Sequence, residues 1–255
     1  MKFENTEVWG FVHSIRGARN PMNSHDKSDS YIEQYGDTPV RNYIYDRNNH
    51  PLAVYVTRWK DKVIIGENDM ALLQKLIRAG SEHRKFMRQI FVSVDITAPL
   101  YWWKEFDTYK VGTVANSTST MHKLASTPIT LNCFETDDFD PNWVESTGIE
   151  ALCDTWINDN IIYFLEHLRL KYIETKDKRY WKELIRWLPE SWLQTRTITI
   201  NYENLLGMCS KGQRRFHKLT EWSKSFIDWT RSLPYAQELI FLDELDNDNN
   251  TKEEK

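Results

Sequence analysis

The 255-residue chain has only three cysteines and nine glycines, and these scarcities close off whole classes of function. Cys133, Cys153 and Cys209 are widely spaced and form no CxxC pair, so they read as reduced thiols of a cytoplasmic protein rather than metal ligands. The seven histidines are scattered, with no HExxH run and no His/Cys pair at ligand spacing, so no metal site is expected. Neither GxGxxG nor the Walker-type GxxxxGK loop occurs, which removes the common phosphate cradles. The absence of GxSxG weakens a serine-hydrolase reading. No apolar run approaches the roughly 18 residues of a membrane span, and "MKFENTEVWG" lacks the apolar core of a signal peptide. A net charge of -4 leaves no global basic footprint for nucleic acid, so any phosphate recognition must be local.

What is abundant is aromatic: 11 Trp, 12 Tyr and 11 Phe, in a chain that is otherwise ordinary at 40% hydrophobic and 27% charged. Such a chain can bury a sizeable core, and large flat side chains also suit a planar ligand. The first forty residues read as irregular, because "IRGARNPMNSHDKSDSY" is rich in turn formers. Its Arg16 and Arg19, among Asn and Ser donors, would suit an anion. "VIIGENDMALLQKLIRAG" predicts a short strand and then a helix capped by Asn68 or Asp69. Leu72, Leu73, Leu76 and Ile77 form its apolar stripe, and Gly80 stops it. Ile90, Val92, Val94 and Ile96 alternate, the mark of a half-buried strand ending at Pro99, and "LYWWKEFDTYK" turns into a helix.

Residues 154–173 predict an amphipathic helix with Ile157, Ile161, Phe164, Leu165 and Leu168 inward. "DKRYWKELIRWLP" is a second helix stopped by Pro189. "TRTITI" is a late strand, and residues 201–234 read as helix, basic turn, helix. The acidic end is expected to be disordered. The class is therefore α+β, a small, mostly antiparallel sheet packed with helices. The expected divisions are an N-terminal arm at 1–64, a core domain at 65–235 and a tail at 236–255.

"TYKVGTVANSTSTMHK" (108–123) is the odd stretch, a hydroxyl-rich segment leaving a helix dense in Trp and Tyr. Its Tyr109, Lys110, Asn116, Thr118 and Ser119 belong to a scattered polar set. That set includes His83, Arg84 and Lys85 after the first helix, Arg88, and Arg196 with Asn201 around the late strand. Arg214, Arg215 and His217 of "KGQRRFHK" complete it. Arginines give bidentate contacts to phosphate, so the set points to a nucleotide or flavin site.

The order of these pieces resembles the flavin-dependent thymidylate synthases, the ThyX family. Those proteins carry an "HxTPFEH" loop, a strand ending in "AP", an aromatic helix, an "RHRxxSxNExSxRY" signature and a late "LP…TR…VNARSL" segment. Here "HRKFMRQ" (83–89) precedes Pro99 at the family's spacing, "VDITAPLYWWKEFDTYKVGTVANSTSTMH" runs beside the signature without a gap, and "LPESWLQTRTITINYENLL" (188–206) resembles the late segment. The resemblance covers roughly residues 65–230. Thr108, Tyr109 and Lys110 stand where the family has Arg-His-Arg, and Gly212 stands where it has the arginine that activates uracil, with Arg214 two residues on.

The resemblance implies a ThyX-like fold, bound FAD, and reductive methylation of dUMP at C5 with methylenetetrahydrofolate and NADPH, or a variant pyrimidine modification. It also implies a homotetramer with interfacial sites. On that reading Arg214 and Arg196 are catalytic. His83, Lys85, Tyr109, Lys110, Asn116, Ser119 and Asn201 hold the cofactor, and Arg16, Arg19, Arg88, Thr118 and Arg215 hold substrate. The altered signature keeps open a second reading, a non-catalytic nucleotide-binding or interaction protein on the same scaffold.

Overall fold

The alternation at 90–96 becomes β6 (Phe91–Pro99), with Val92, Val94, Ile96 and Ala98 fully buried on one side. Its other side meets β8 (Leu193–Asn201) through matched hydroxyls. Ser93 and Thr199 lie 2.7 Å apart, Thr97 and Thr195 likewise 2.7 Å, and Thr197 donates to Asp95 at 2.5 Å. Each pair sums to the same position number, so the two strands run antiparallel. These features come from a computed structural model, which describes residues 1–34, 40–45, 51–57, 61–119, 123–137 and 157–253. The four-stranded sheet has the order β1-β6-β8-β7, with β1 at Lys2–Trp9 and β7 at Val114–Ser117. Two antiparallel pairs stand beside it in the sequence. One is β2 (Tyr31–Gln34) with β5 (Asp61–Ile64), the other β3 (Val40–Tyr45) with β4 (Pro51–Thr57). The class is α+β, as the alternation and the helical stripes imply.

The chain forms two compact units. The larger comprises Lys2–Ile96, Phe106–Asn116 and Thr197–Lys255. Its core is aromatic: Phe3 stacks on Trp229 at 4.9 Å, and Trp222 and Phe226 are fully buried. Each buried indole finds a partner, Trp229 donating to Thr6 Oγ1 at 3.2 Å and Trp222 to the Met208 carbonyl at 3.1 Å. The smaller unit comprises Met1, Thr97–Glu105 and Ser117–Arg196. Its core gathers Leu124, Ile129, Phe134, Leu165, Leu168 and Leu184.

Several expectations are corrected. The N-terminal forty residues are not irregular throughout. They form β1, then α1 (Phe11–Arg19), which buries Phe11, Ser14 and Ile15. The turn formers cluster only after α1 and hide the short alternation before it. In the helix Tyr163–Thr175, Leu165, Leu168 and Arg169 face inward while Phe164 is exposed, so the stripe is rotated from the expected one. The acidic end is not disordered over its whole length, because Leu242–Glu253 is helical. Its charge run reads as solvated in isolation, yet distant arginines pair with it: Arg78 with Asp246, Arg214 with Asp243 and Glu244, Arg231 with Glu244. Cys153 lies outside the described residues.

The helix predicted to run up to Gly80 forms as α2 (Glu67–Arg78), but its cap is neither Asn68 nor Asp69. The Asp29 carboxylate accepts from the Asn68 amide at 2.8 Å and the Asp69 amide at 3.1 Å. A Cβ at Gly66 would fall 2.2 Å from Asp29 Cγ, so glycine is what lets that carboxylate reach the helix start. Asp69, only 1% exposed, points the other way and takes Arg19 Nε at 2.5 Å, Ser28 Oγ at 2.7 Å and Ser30 Oγ at 2.6 Å.

Candidate functional site

The helix α3 (Leu100–Phe106) delivers its last turn into the segment 107–113, and the larger unit fixes that segment side chain by side chain. Tyr109 rests its ring on the buried Trp222, centroids 5.4 Å apart, and its hydroxyl accepts from Gln213 Nε2. Asn204 Nδ2 donates to the Val111 carbonyl at 2.8 Å. Gly112 turns at φ 79, where a side chain is strained. A Cβ there would stand 3.5 Å from Asn201 Nδ2. Asn201 itself caps the helix Tyr202–Met208, its Oδ1 accepting from the Asn204 amide at 3.0 Å. His217 stacks flat on Trp222 at 4.9 Å and accepts the Leu219 amide on Nδ1, which leaves Nε2 to carry the proton of the neutral ring.

This floor presents an exposed rim. Val111 is 83% exposed, Lys110 is exposed, and all four residues of β7 face solvent at the end of the sheet. Asn204 Oδ1 is buried and has no hydrogen-bond partner, an acceptor waiting directly beneath the Gly112 turn. Cys209 lies deep in the same unit, and burial pushes its thiol up to about 12, so it is no nucleophile.

The structure gathers Tyr109, Lys110 and Asn201 of the sequence-predicted set into this one cluster; Asn116 lies on β7, exposed. A second group sits in the smaller unit. Arg196 lies over the Trp103 ring at 4.3 Å and donates to Gln194 Oε1 at 3.0 Å, while Gln194 Nε2 donates to the Thr118 carbonyl at 3.0 Å. Ser119 accepts the Lys123 amide on its carbonyl at 3.0 Å. A third group lines a cavity of about 380 Å³, with Arg16, Arg19, His25 and Ser28 in its wall.

Two arginines are spoken for. Arg19 spends all three guanidinium nitrogens on Asp69, the Ser24 carbonyl and the Lys27 carbonyl. Arg214 spends its three on Glu244, the Cys209 carbonyl and Asp243. Every guanidinium nitrogen of both is thus held by a protein group. Arg84 pairs with Glu203 at 3.0 Å, and Lys85 reaches Glu82 at 3.7 Å across solvent. His83 and Arg88 are exposed, and Arg215 lies over Phe216 at 5.2 Å. Gln213, Asn204, Gln194 and Trp222 carry much of this geometry, and no motif marked them. The only signal was the general excess of aromatics.

No protein-family model and no curated protein sequence matches this chain. Its fold, however, is found in solved structures. Two structures of the flavin-dependent thymidylate synthase ThyX from Helicobacter pylori, both with FAD and dUMP, match 94% of this chain and 98% and 97% of their own. The TM-scores are 0.57 and 0.58 at 13% sequence identity. The chain therefore has a ThyX-like fold.

FAD asks a protein for donors to its diphosphate and polar partners for its ring system. Among the described residues Arg16, Arg88, Lys110 and Arg215 have no carboxylate partner, and Asn204 Oδ1 is a buried acceptor without a partner beneath the Gly112 turn. These residue types are the ones such a group calls for.

Proposed function

We propose that the chain is a thymidylate synthase-like flavoenzyme that modifies a deoxyuridine nucleotide. The observation that supports this most is the fold shared along 94% of the chain with proteins holding FAD and dUMP. FAD supplies hydride chemistry when bound, with NADPH as reductant and methylenetetrahydrofolate as carbon donor. The protein's part is to hold and orient. Lys110 offers charge to the cofactor phosphates, and the Gly112 turn, set by Asn201 and Asn204, offers a close backbone approach. His83, Lys85, Asn116 and Ser119 are proposed cofactor contacts, and Arg16, Arg88, Thr118 and Arg215 proposed nucleotide contacts. Arg19 and Arg214 act as positioning residues, since each already holds three protein partners. Arg196 is half-buried on Trp103, and its proposed part is to polarise the pyrimidine. The sites complete themselves in a homotetramer on this reading.

A specific observation favours a second reading. Thr108, Tyr109 and Lys110 replace a charged signature, and Arg214 is neutralised within the protein. A non-catalytic nucleotide-binding protein would tolerate both. The visible absorption spectrum of the purified protein, before and after FAD addition and desalting, separates the two. Retained flavin bands followed by NADPH- and folate-dependent methylation of dUMP support the enzyme. A protein that takes up no flavin but binds dUMP refutes it in favour of the second.

A further inference from the structure

The larger unit contains a cleft of about 270 Å³, and of its lining residues the flavin reading uses Arg214 alone, as a positioning residue. Four basic side chains line it: Arg78 from the end of α2, Arg84, Lys211 and Arg214. Its floor is apolar, with Ile77, Leu206 and Ile240 among the lining residues. The roof is the start of the helix Leu242–Glu253, whose Asp243 and Asp246 also line the space.

The two carboxylates reach the cleft's own arginines. Asp246 takes Arg78 in a bidentate pair, at 3.0 Å from Nε and 2.6 Å from NH2, and Asp243 takes Arg214. That fork geometry is what a phosphate would also use. The Arg78 pair is a weak one to break, since its side chains are 49% and 39% exposed and such pairs contribute little net stability. Lys211, meanwhile, has no carboxylate partner among the described residues. Arg84 is held by Glu203 outside the lining and Arg214 by Glu244 as well as Asp243, so Lys211 is the cation whose charge remains open to the cleft.

We propose that this cleft is a binding site for a phosphate-bearing small molecule, and that the C-terminal helix is its built-in competitor. Asp243 and Asp246 stand where phosphate oxygens bind, and Lys211 is the cation held in reserve. An incoming phosphate meets Lys211 first and then exchanges with the Asp246 carboxylate on Arg78, which loosens the helix roof. The chemistry is shared by a free polyphosphate and by the phosphate end of a nucleotide, and the apolar floor favours the latter.

The test uses the full chain without flavin, so its outcome is independent of the enzyme reading. Inorganic pyrophosphate and dUMP are titrated by calorimetry at low salt against wild type, Asp243→Asn/Asp246→Asn and Lys211→Ala. The doubly substituted protein is expected to bind pyrophosphate about tenfold tighter, because the competing charges are gone. Lys211→Ala, at an exposed residue, is expected to bind about threefold or more weaker. A dUMP affinity that shifts in the same variants as pyrophosphate, and is tighter, assigns the cleft's ligand as a nucleotide; pyrophosphate binding that shifts while dUMP binding does not assigns a free polyphosphate. Hydrogen exchange at 242–247 should rise on pyrophosphate addition. Wild-type affinity in a folded double variant, or in Lys211→Ala, overturns the proposal. Should the double variant fail to fold, Asp246→Asn alone reads the same contest at its exposed pair.

Discussion

Replacing Arg19 by Met tests whether the N-terminal segment is held to α2 by one buried charge. Arg19 and Asp69 are 4% and 1% exposed, and the pair is supported by two serine hydroxyls and two carbonyls. Removing one partner leaves the other charge buried, which costs about 3–5 kcal/mol. At roughly 2–4 °C per kcal/mol, the melting temperature should fall by roughly 6–20 °C. Burial by itself raises the Asp69 pKa, but hydrogen bonds from Ser30, Ser28 and Arg19 together hold it below its ordinary 3.8. The folded value is depressed, so the carboxylate contributes stability above pH 3.8, and that contribution is lost as pH falls through the folded value. Without Arg19 the main opposing charge is gone and protonation of Asp69 becomes favourable, so the gap between variant and wild type should narrow on acidification. Urea unfolding at neutral pH and near pH 4 measures both effects. Arg19→Met/Asp69→Asn should recover much of the loss, since the asparagine still accepts from the serines without a buried charge. A single variant within about 1 kcal/mol of wild type, with no pH dependence, would refute the argument.

Two further outcomes follow from the site. Cys209, with its thiol pushed up to about 12, should resist alkylation at pH 8 in the folded protein, while the half-buried Cys133 reacts; peptide mapping after labelling distinguishes them, and equal labelling counts against the buried placement. Gly112→Ala forces a side chain into φ 79 beside Asn201, which should cost about 1 kcal/mol and weaken flavin or nucleotide uptake more than stability.

The sequence showed what short-range pattern can show. β6 and β8 were legible because apolar and polar residues alternate at consecutive positions, and α2 because its apolar stripe ends at a glycine with φ 101. The ThyX-like order of elements was legible for the same reason, as a succession of local signals. What escaped were the partners of the charges. Arg19 meets Asp69 across 50 positions and Arg214 meets Asp243 across 29, and nothing near either arginine says so. Arg19, assigned to substrate, and Arg214, assigned to catalysis, are therefore committed to the protein's own carboxylates. Tyr109 likewise rests on a ring far along the chain, Trp222, and nothing beside it says so. The floor under it, Gln213 and Asn204, had no pattern to announce it.

Asp29 closes the first turn of α2 from 39 positions upstream of Asn68. That ties the helix cap to a distant segment of the chain. Its leading amides exchange water for this acceptor only once the intervening chain has closed, and loop closure must be completed before the cap contributes anything. The same linkage runs backwards in the native state. When the N-terminal segment opens, the Asn68 and Asp69 amides lose their acceptor together, so their deuterium uptake should rise and fall as one, at the pace of residues 28–30 rather than of the helix they belong to.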